Sequence, residues 1–370
     1  MSLPDVIIVG GGVMGCGIAL RLRQAGARVT ILERSIPGAE ASSAAAGILA
    51  PQAEADGPGP FLELCLASRA LYPGFVRELR EASDVDVAFR ACGVLAVQLD
   101  DTGIEHARRR IGWQQARGLD ATWLDAAATR ALEPELSAEI VGAAHFPNDA
   151  VVDNRLLVSA LTIAAVRAGA RFVTTQVHGL LERGGRVTGA ATDQGELGGD
   201  AVVVAAGAWT GLVPGALVSP GAVRPARGQM VMVRTRVPIC RHVVFGAQGY
   251  AVPRTDGRVL LGSTVEFAGF EKQVTAGGLA AVLGQGLRLF PGLAGAPVVE
   301  TWAGFRPHTP DGLPVLGPAP VPGLFLASGH FRNGILLTPI TASVLTDTIL
   351  GRVPTVELTP FRVDRKALTL

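Results

Sequence analysis

The chain has 370 residues, 48 % of them apolar and 18 % charged, with a net charge of +1. That length can bury a large core and suggests two or three domains, while the charge balance gives no footing for nucleic acid or an anionic membrane. No stretch reaches the roughly 18 apolar residues of a membrane span, and the first apolar run lacks a basic n-region and a cleavage site, so the expectation is a soluble cytoplasmic protein. The cysteines Cys16, Cys65, Cys92 and Cys240 are too scattered for a disulfide framework or a zinc site. His106, His145, His178, His242 and His308 show no metal-ligand spacing, so no metal is expected. The basic residues are almost all arginine, with only Lys272 and Lys366 as lysines.

In chain order, Val6–Val9 reads as a buried parallel strand that runs into Gly10-Gly11-Gly12-Val13-Met14-Gly15. A helix from Met14 to Ala25 follows and ends at Gly26, and Ala27–Leu32 reads as a second strand with Glu33 at its tip. Gly10, Gly12 and Gly15 allow a tight turn and a close approach of backbone to a pyrophosphate at the positive helix N-terminus, and Glu33 can accept hydrogen bonds from a ribose diol. Strand, helix, strand and acid in register therefore predict a bound dinucleotide. Residues 52–60 read as a loop, and Phe61–Leu79 as a helix. Leu156–Ala168 is a further helix with Asp153 or Asn154 as N-cap and Gly169 at its end. Strands are expected at Phe172–Val177, Val187–Thr192 and Ala201–Ala205, the last stopping at small residues up to Trp209, where backbone can approach a cofactor. From Val223 to Thr264 the pattern becomes that of an antiparallel sheet, with strands at Gln229–Val233, Gly249–Pro253 and Val259–Gly262. A strand at Gly323–Ser328 and a helix at Gly334–Leu350, with Pro339 near its start, return to α/β character.

The expected fold class is α/β: a Rossmann-like dinucleotide-binding domain with a second, α+β domain built on an antiparallel sheet. The nucleotide-binding part is discontinuous, at 1–82, 146–214 and 303–370, and 83–145 with 215–302 form the substrate part. The segment from Gly329 to Pro339 places a second cofactor contact at the last helix N-terminus, whose partial positive charge suits the negative edge of a reduced flavin.

The glycine triplet, Glu33-Arg34, Ser42-Ser43-Ala44-Ala45-Ala46-Gly47, Trp302-Ala303-Gly304-Phe305-Arg306-Pro307 and Gly329-His330-Phe331-Arg332-Asn333-Gly334 together resemble the bacterial glycine oxidases. These are the thiamine-pathway branch of the FAD-dependent D-amino-acid oxidase family. The resemblance spans essentially the whole chain, and its last two motifs are the most specific. It implies a Rossmann-like FAD-binding domain with an α+β substrate domain on an antiparallel sheet, oxidative deamination of glycine and small amines, an imine that hydrolyses, reoxidation by oxygen to hydrogen peroxide, and a homo-oligomer, often a tetramer. Carried over by position, FAD contacts fall at Val13, Met14, Glu33, Arg34, Ala41, Ser42, Ala46, Gly47, Ile48, Val177, His330, Phe331, Arg332, Asn333, Gly334, Ile335 and Leu336. Arg306 corresponds to the carboxylate-binding arginine, Arg332 to the substrate-contacting arginine and Tyr250 to the active-site tyrosine. Gln248 and Val265 depart from the family's pattern at positions lining its pocket, which leaves the choice of amine open. The stretch from Phe305 to Gly312 has no cysteine where related sarcosine oxidases attach their flavin, so non-covalent FAD is expected.

The chemistry gives each group a task. A guanidinium such as Arg306 grips a carboxylate through two parallel charge-assisted bonds. The Tyr250 hydroxyl can assist, whereas Arg332 either touches substrate or shapes the flavin loop. A neutral amine needs no strong base, so His330 is expected to pack or hydrogen-bond beside the flavin. Two alternatives keep FAD: a dehydrogenase that passes electrons to a quinone or protein acceptor or acts on a larger N-substituted glycine, and a non-catalytic flavin subunit. An NAD enzyme would leave the C-terminal motif unexplained.

Overall fold

The computed structural model describes residues 3–219 and 221–368. Among the described residues the framework is a six-stranded sheet facing an eight-stranded one, with two smaller sheets. The six-stranded sheet runs in the order Val315–Pro318, Leu324–Ser328, Ala201–Val204, Asp5–Val9, Arg28–Glu33, Arg171–Thr174. All its pairings are parallel except the one made by Val315–Pro318. Parallel strands covered on both faces need uninterrupted apolar residues, which is what Val6–Val9 and Ala201–Val204 supply, all of them buried.

One face of this sheet is covered by the helices Val13–Gln24, Pro60–Ser83, Asn154–Arg167 and Gly334–Ile349, packed in one apolar cluster. Gly26, at a φ of +91°, follows the first of these helices, and Asp153 caps the third, its Oδ1 accepting from the amides of Arg155 and Leu156. Pro339 lies inside the last helix and has no N–H for the Ile335 carbonyl four residues back. The Tyr72 hydroxyl, fully buried on the Pro60–Ser83 helix, donates to that carbonyl instead, and Ser68 Oγ donates to the Leu336 carbonyl at 2.6 Å. The proline's missing donor is therefore replaced by a side chain from the neighbouring helix.

The eight-stranded sheet runs in the order Val298–His308, Arg224–Arg234, Arg258–Gly262, Tyr250–Pro253, Val243–Phe245, Val94–Gln98, Gly142–Phe146, Thr122–Asp125. It is antiparallel with one exception: Val243–Phe245 lies parallel to Val94–Gln98. The purely antiparallel expectation for the 223–264 region thus missed a non-local pairing. Two other expectations also need correction. Residues 52–54 of the expected 52–60 loop belong to a helical turn, Pro51–Glu54, because buried partners hold it from outside. The expected strand Phe172–Val177 is divided, its first part ending at Thr174 in the parallel sheet and Val177 opening the three-stranded sheet. Positions 145/146 and 302/303 fall inside the strands Gly142–Phe146 and Val298–His308 of the eight-stranded sheet. Among the described residues no helix is long and apolar enough to cross a membrane.

Replacing Tyr72 with Phe leaves the Ile335 carbonyl unsatisfied in the core. The expected cost is about 1–3 kcal/mol, read as a lower midpoint in chemical denaturation of the purified protein.

Candidate functional site

A cleft of about 720 Å³ opens between the two large sheets. One wall is made by the carboxyl ends of the parallel strands, where Val9, Glu33, Ala205 and Ser328 reach it, which is where open parallel sheets bind ligands. Gly10 sits at a φ of +108°, and a Cβ there would strike the Ala205 carbonyl; a Cβ at Gly15 would strike the Gly10 carbonyl. Turn, helix and neighbouring strand are thus pressed together. The N-cap of the Val13–Gln24 helix is Gly12, which has no side chain to cap it, and the Val13 amide donates to Ser42 Oγ at 3.1 Å. Glu33 stands at its strand tip, Oε2 accepting from the Gly11 amide at 2.8 Å and Oε1 from the Ser35 amide at 3.0 Å. The Thr175 hydroxyl, buried in the cleft wall, has no partner among the described residues. A helix terminus with glycine at its N-cap, an acid at the strand tip and an orphaned buried hydroxyl together fit a dinucleotide.

The segment 41–48 is pinned from several sides. Asn154 Nδ2 donates to the Ser42 and Ser43 carbonyls, Arg254 Nη2 to the Ala46 carbonyl at 3.0 Å, and Trp302 Nε1 to the Ala44 carbonyl at 3.0 Å. Gly304 faces Ala44 so closely that a Cβ would overlap its methyl, which explains how the Trp302–Pro307 motif lies against the Ser42–Gly47 motif. The Arg34 guanidinium lies 4.0 Å from the centre of the Trp209 ring, a cation–π contact at the cleft edge.

Across the cleft stands the eight-stranded sheet. Arg306 reaches in from Val298–His308 and lies over Gly228 on the adjacent strand, where any Cβ would collide with the guanidinium. Its Nη1 donates to the Thr264 carbonyl at 3.1 Å and its Nη2 to Ser263 Oγ at 2.5 Å. Tyr250 lines the same space, its hydroxyl bonded among the described residues only to Met230 Sδ at 3.5 Å, a weak acceptor. Arg332 comes from the short 3-10 turn Phe331–Asn333. Glu54 faces these two arginines from the Pro51–Glu54 turn; burial raises its pKa, while Arg332 and Arg306 pull it down. His330 is buried, with Nε2 3.1 Å from Thr341 Oγ1, and desolvation pushes its pKa down to about 3, so the ring is neutral near neutral pH.

The family model for FAD dependent oxidoreductases matches residues 5–348. The chain belongs to the FAD-dependent oxidoreductase family. It is an enzyme, and FAD is its cofactor. Its sequence is 37 % identical over 366 residues to the glycine oxidase of Geobacillus kaustophilus, covering 98 % of this chain and 97 % of that protein. The crystal structure of glycine oxidase from that organism superposes with a TM-score of 0.94, covering 99 % of both chains at 36 % identity. The bifunctional protein ThiO/ThiG of Synechocystis is 40 % identical over 359 residues, which is 95 % of this chain and 52 % of that protein, so the chain spans about half the length of this relative. The structure of iminodiacetate oxidase from Chelativorans sp. is 30 % identical, with a TM-score of 0.87 over 96 % of this chain and 98 % of that one.

In this FAD-dependent oxidoreductase the structure brings most residues singled out from sequence to one cleft. Gly10, Gly12, Val13, Met14, Glu33, Arg34, Ala41, Ser42, Ala46, Gly47, Ile48 and Val177 line it, as do Tyr250, Arg306, His330, Phe331, Arg332, Gly334 and Ile335. Gly15 packs behind the turn, Leu336 is buried in the helical layer, and Asn333 meets Glu54 rather than the open cleft. Gln248 and Val265 line it too. Sequence reasoning missed Glu54, Thr175 and Gln285, for which no local motif gives a signal; they enter the wall only through the fold. Among the described residues no group of three or more His, Cys, Asp or Glu could hold a metal ion.

His330 also yields a pH prediction. Its pKa is depressed in the fold, so its contribution to stability is present above the unfolded value of 6.5 and is lost as the pH falls toward about 3. Between pH 7 and pH 5 this costs about 2 kcal/mol, and in His330→Asn the fall in melting temperature over that interval should be smaller by the corresponding amount.

Proposed function

We propose that this enzyme oxidises glycine, or another small primary or secondary amino acid, to an imine that hydrolyses to a 2-oxo acid and ammonia or an amine. The observation that carries this reading is Arg306, whose guanidinium is seated over Gly228 and lines the cleft beside Tyr250 and Arg332. Bound, non-covalent FAD supplies the two-electron oxidant and returns the electrons to molecular oxygen as hydrogen peroxide. The chain's own residues bind and orient. Arg306 takes the substrate carboxylate through the N–H groups that Ser263 and Thr264 leave free. Tyr250, tied only weakly to Met230, turns its hydroxyl toward the same carboxylate. Glu54 faces both guanidinium groups, and burial raises its pKa against their pull, so the site carries net positive charge, which suits a carboxylate. Neutral His330 adds none. Fixing the carboxylate fixes the adjacent carbon against the flavin-binding wall, and most of the rate enhancement then comes from orientation.

The remaining cofactor contacts, from Gly10 through Leu336, are proposed as inferred from sequence, with the parallel-sheet layer as the FAD-binding part and the eight-stranded layer as the substrate part. A homo-oligomer, a tetramer in the resembled proteins, and a place in the thiamine pathway, supported by the ThiO/ThiG relative, belong to the same proposal. A larger N-substituted glycine is the second reading. It is favoured by the similarity to an iminodiacetate oxidase and by the Gln285–Gln248 hydrogen bond of 2.9 Å at the cleft edge, which adds polar groups there.

Anaerobic mixing with glycine, sarcosine, D-alanine, D-proline and longer N-alkylglycines should bleach the flavin, and admitting air should yield stoichiometric peroxide. If no small amine bleaches it, the amino-acid oxidase reading is wrong. Arg306→Met should raise the apparent KM for glycine by about 100-fold, equivalent to about 3 kcal/mol, with the flavin still bound. Glu54→Gln replaces the carboxyl group that faces Arg306 and Arg332 with a neutral amide. Competitive inhibition by the dianion malonate, relative to the monoanion glycolate, should tighten about tenfold in this variant at high pH, where the parent's carboxyl ionises.

A further inference from the structure

The guanidinium of Arg306 does not choose its own plane. Two of its N–H groups are committed to the Thr264 carbonyl and the Ser263 hydroxyl, and these belong to a segment that is itself held from behind. Thr264 Oγ1 donates to Glu266 Oε1 at 2.5 Å and accepts from the Gln229 amide at 3.0 Å. The other Glu266 oxygen, Oε2, accepts from Arg227 Nη2 at 2.5 Å and Nε at 3.2 Å, while Gln229 Nε2 donates to Oε1 at 2.8 Å. Arg227 is only 6 % exposed. Its Nη1 donates to the Glu271 carbonyl at 2.9 Å, and its backbone exchanges both hydrogen bonds with Glu266.

The sheet geometry explains why such a chain of contacts is needed. Ala226 is directly opposite Arg306 and Gly228 opposite Gly304, so these side chains share one face, and alternation puts Arg227 and Gln229 on the other. Arg306 therefore lies over a glycine, with no side chain beneath it to set its rotation. The segment 263–266 runs along the side of the Arg224–Arg234 strand that the Arg258–Gly262 strand leaves unpaired before Met230, bridged to it at Arg227 and Glu266, and connects the two faces: Glu266 is fixed on the far side, and the Thr264 carbonyl is presented on the near side. Burial opposes the charge on Glu266, yet the bonds from Thr264, Arg227 and Gln229 outweigh it and hold its pKa below the usual carboxylate range. The anchor is thus a charged, fully bonded carboxylate, not a mobile one.

We propose that the Thr264 hydroxyl, the Glu266 carboxylate and the Arg227 guanidinium form a positioning relay that sets the orientation of Arg306, and so the affinity for a substrate carboxylate, without themselves touching it. The inference rests on the reading of Arg306 as the carboxylate-binding group. A long guanidinium side chain has several rotamers, and the relay removes the entropic cost of selecting one at each binding event.

The test uses the FAD-loaded enzyme and two readouts besides turnover: the dissociation constant of glycolate, followed by flavin absorbance, and flavin content. Thr264→Val keeps the shape and deletes the hydroxyl. It should weaken glycolate binding and raise the glycine KM together by about tenfold, with kcat at saturation within about twofold and flavin content unchanged. Thr264→Ser restores the donor and should return both to within about twofold of the parent. Glu266→Gln should behave like Thr264→Val. If Thr264→Val binds glycolate normally while Arg306→Met does not, the relay is wrong and the carboxylate reading stands. If Arg306→Met also binds normally, the carboxylate reading itself falls. If Thr264→Ser is as weak as Thr264→Val, packing and not the hydroxyl bond is responsible, and the relay is again overturned.

Discussion

One buried guanidinium joins the two sheets that make the cleft. Arg254 leaves the strand Tyr250–Pro253 of the eight-stranded sheet, is 8 % exposed, and donates to the carbonyls of Val152 and Ala46 and to Asn154 Oδ1. Those acceptors belong to the cofactor-side segment 41–48 and to the start of the helix Asn154–Arg167. Burial pushes the pKa of Arg254 down to about 10, and Asp153, 3.6 Å away, works in the opposite sense, so the cation stays charged and its fork stays fixed. A flavin-binding wall and a substrate-binding wall built on different sheets can cooperate only if their separation is defined to a fraction of an ångström. Arg254, Trp302 on the Ala44 carbonyl and Gly304 against Ala44 supply that definition.

The same logic of fixing backbone from outside recurs at the Pro51–Glu54 turn. Asp149 Oδ2 accepts from the Ala53 amide at 3.0 Å, and Arg69 Nη1 bridges Asp149 Oδ1 at 2.7 Å and Gln52 Oε1 at 2.6 Å. Gln52 and Gln114, both fully buried, exchange two further bonds. Four residues cannot sustain a helix by their own hydrogen bonding. This network holds them, and through them it holds Glu54 opposite Arg306 and Arg332. The electrostatics of the cleft are therefore decided by residues far from it in sequence: two cations, one carboxyl group whose charge burial disfavours, and an imidazole kept neutral by desolvation.

How much of this was legible depends on how local each determinant is. The nucleotide-binding turn was readable because strand, glycines, helix and acid follow one another within one stretch of chain, and steric contact between Gly10, Gly15 and Ala205 leaves little choice of residue. The helix caps at Asp153 and Gly26 were readable for the same reason. By contrast, the parallel pairing of Val243–Phe245 with Val94–Gln98, the helical turn at 51–54 and the division of the 172–177 run follow from partners distant in sequence, and periodicity carries no record of them.

Arg306 marks the boundary between the two kinds of information. Its motif singled it out in the sequence as a carboxylate-binding candidate, because a guanidinium has the fork that a carboxylate requires. Only the tertiary structure decided that it lies over Gly228, that Ser263 and Thr264 take two of its donors, and that Glu54 faces it across the cleft. The sequence by itself thus determined the chemical groups and the local turns, which depend on covalent identity and near neighbours. Their orientation, protonation and company were decided by the fold, since burial and hydrogen bonding depend on which distant segments are brought within a few ångströms.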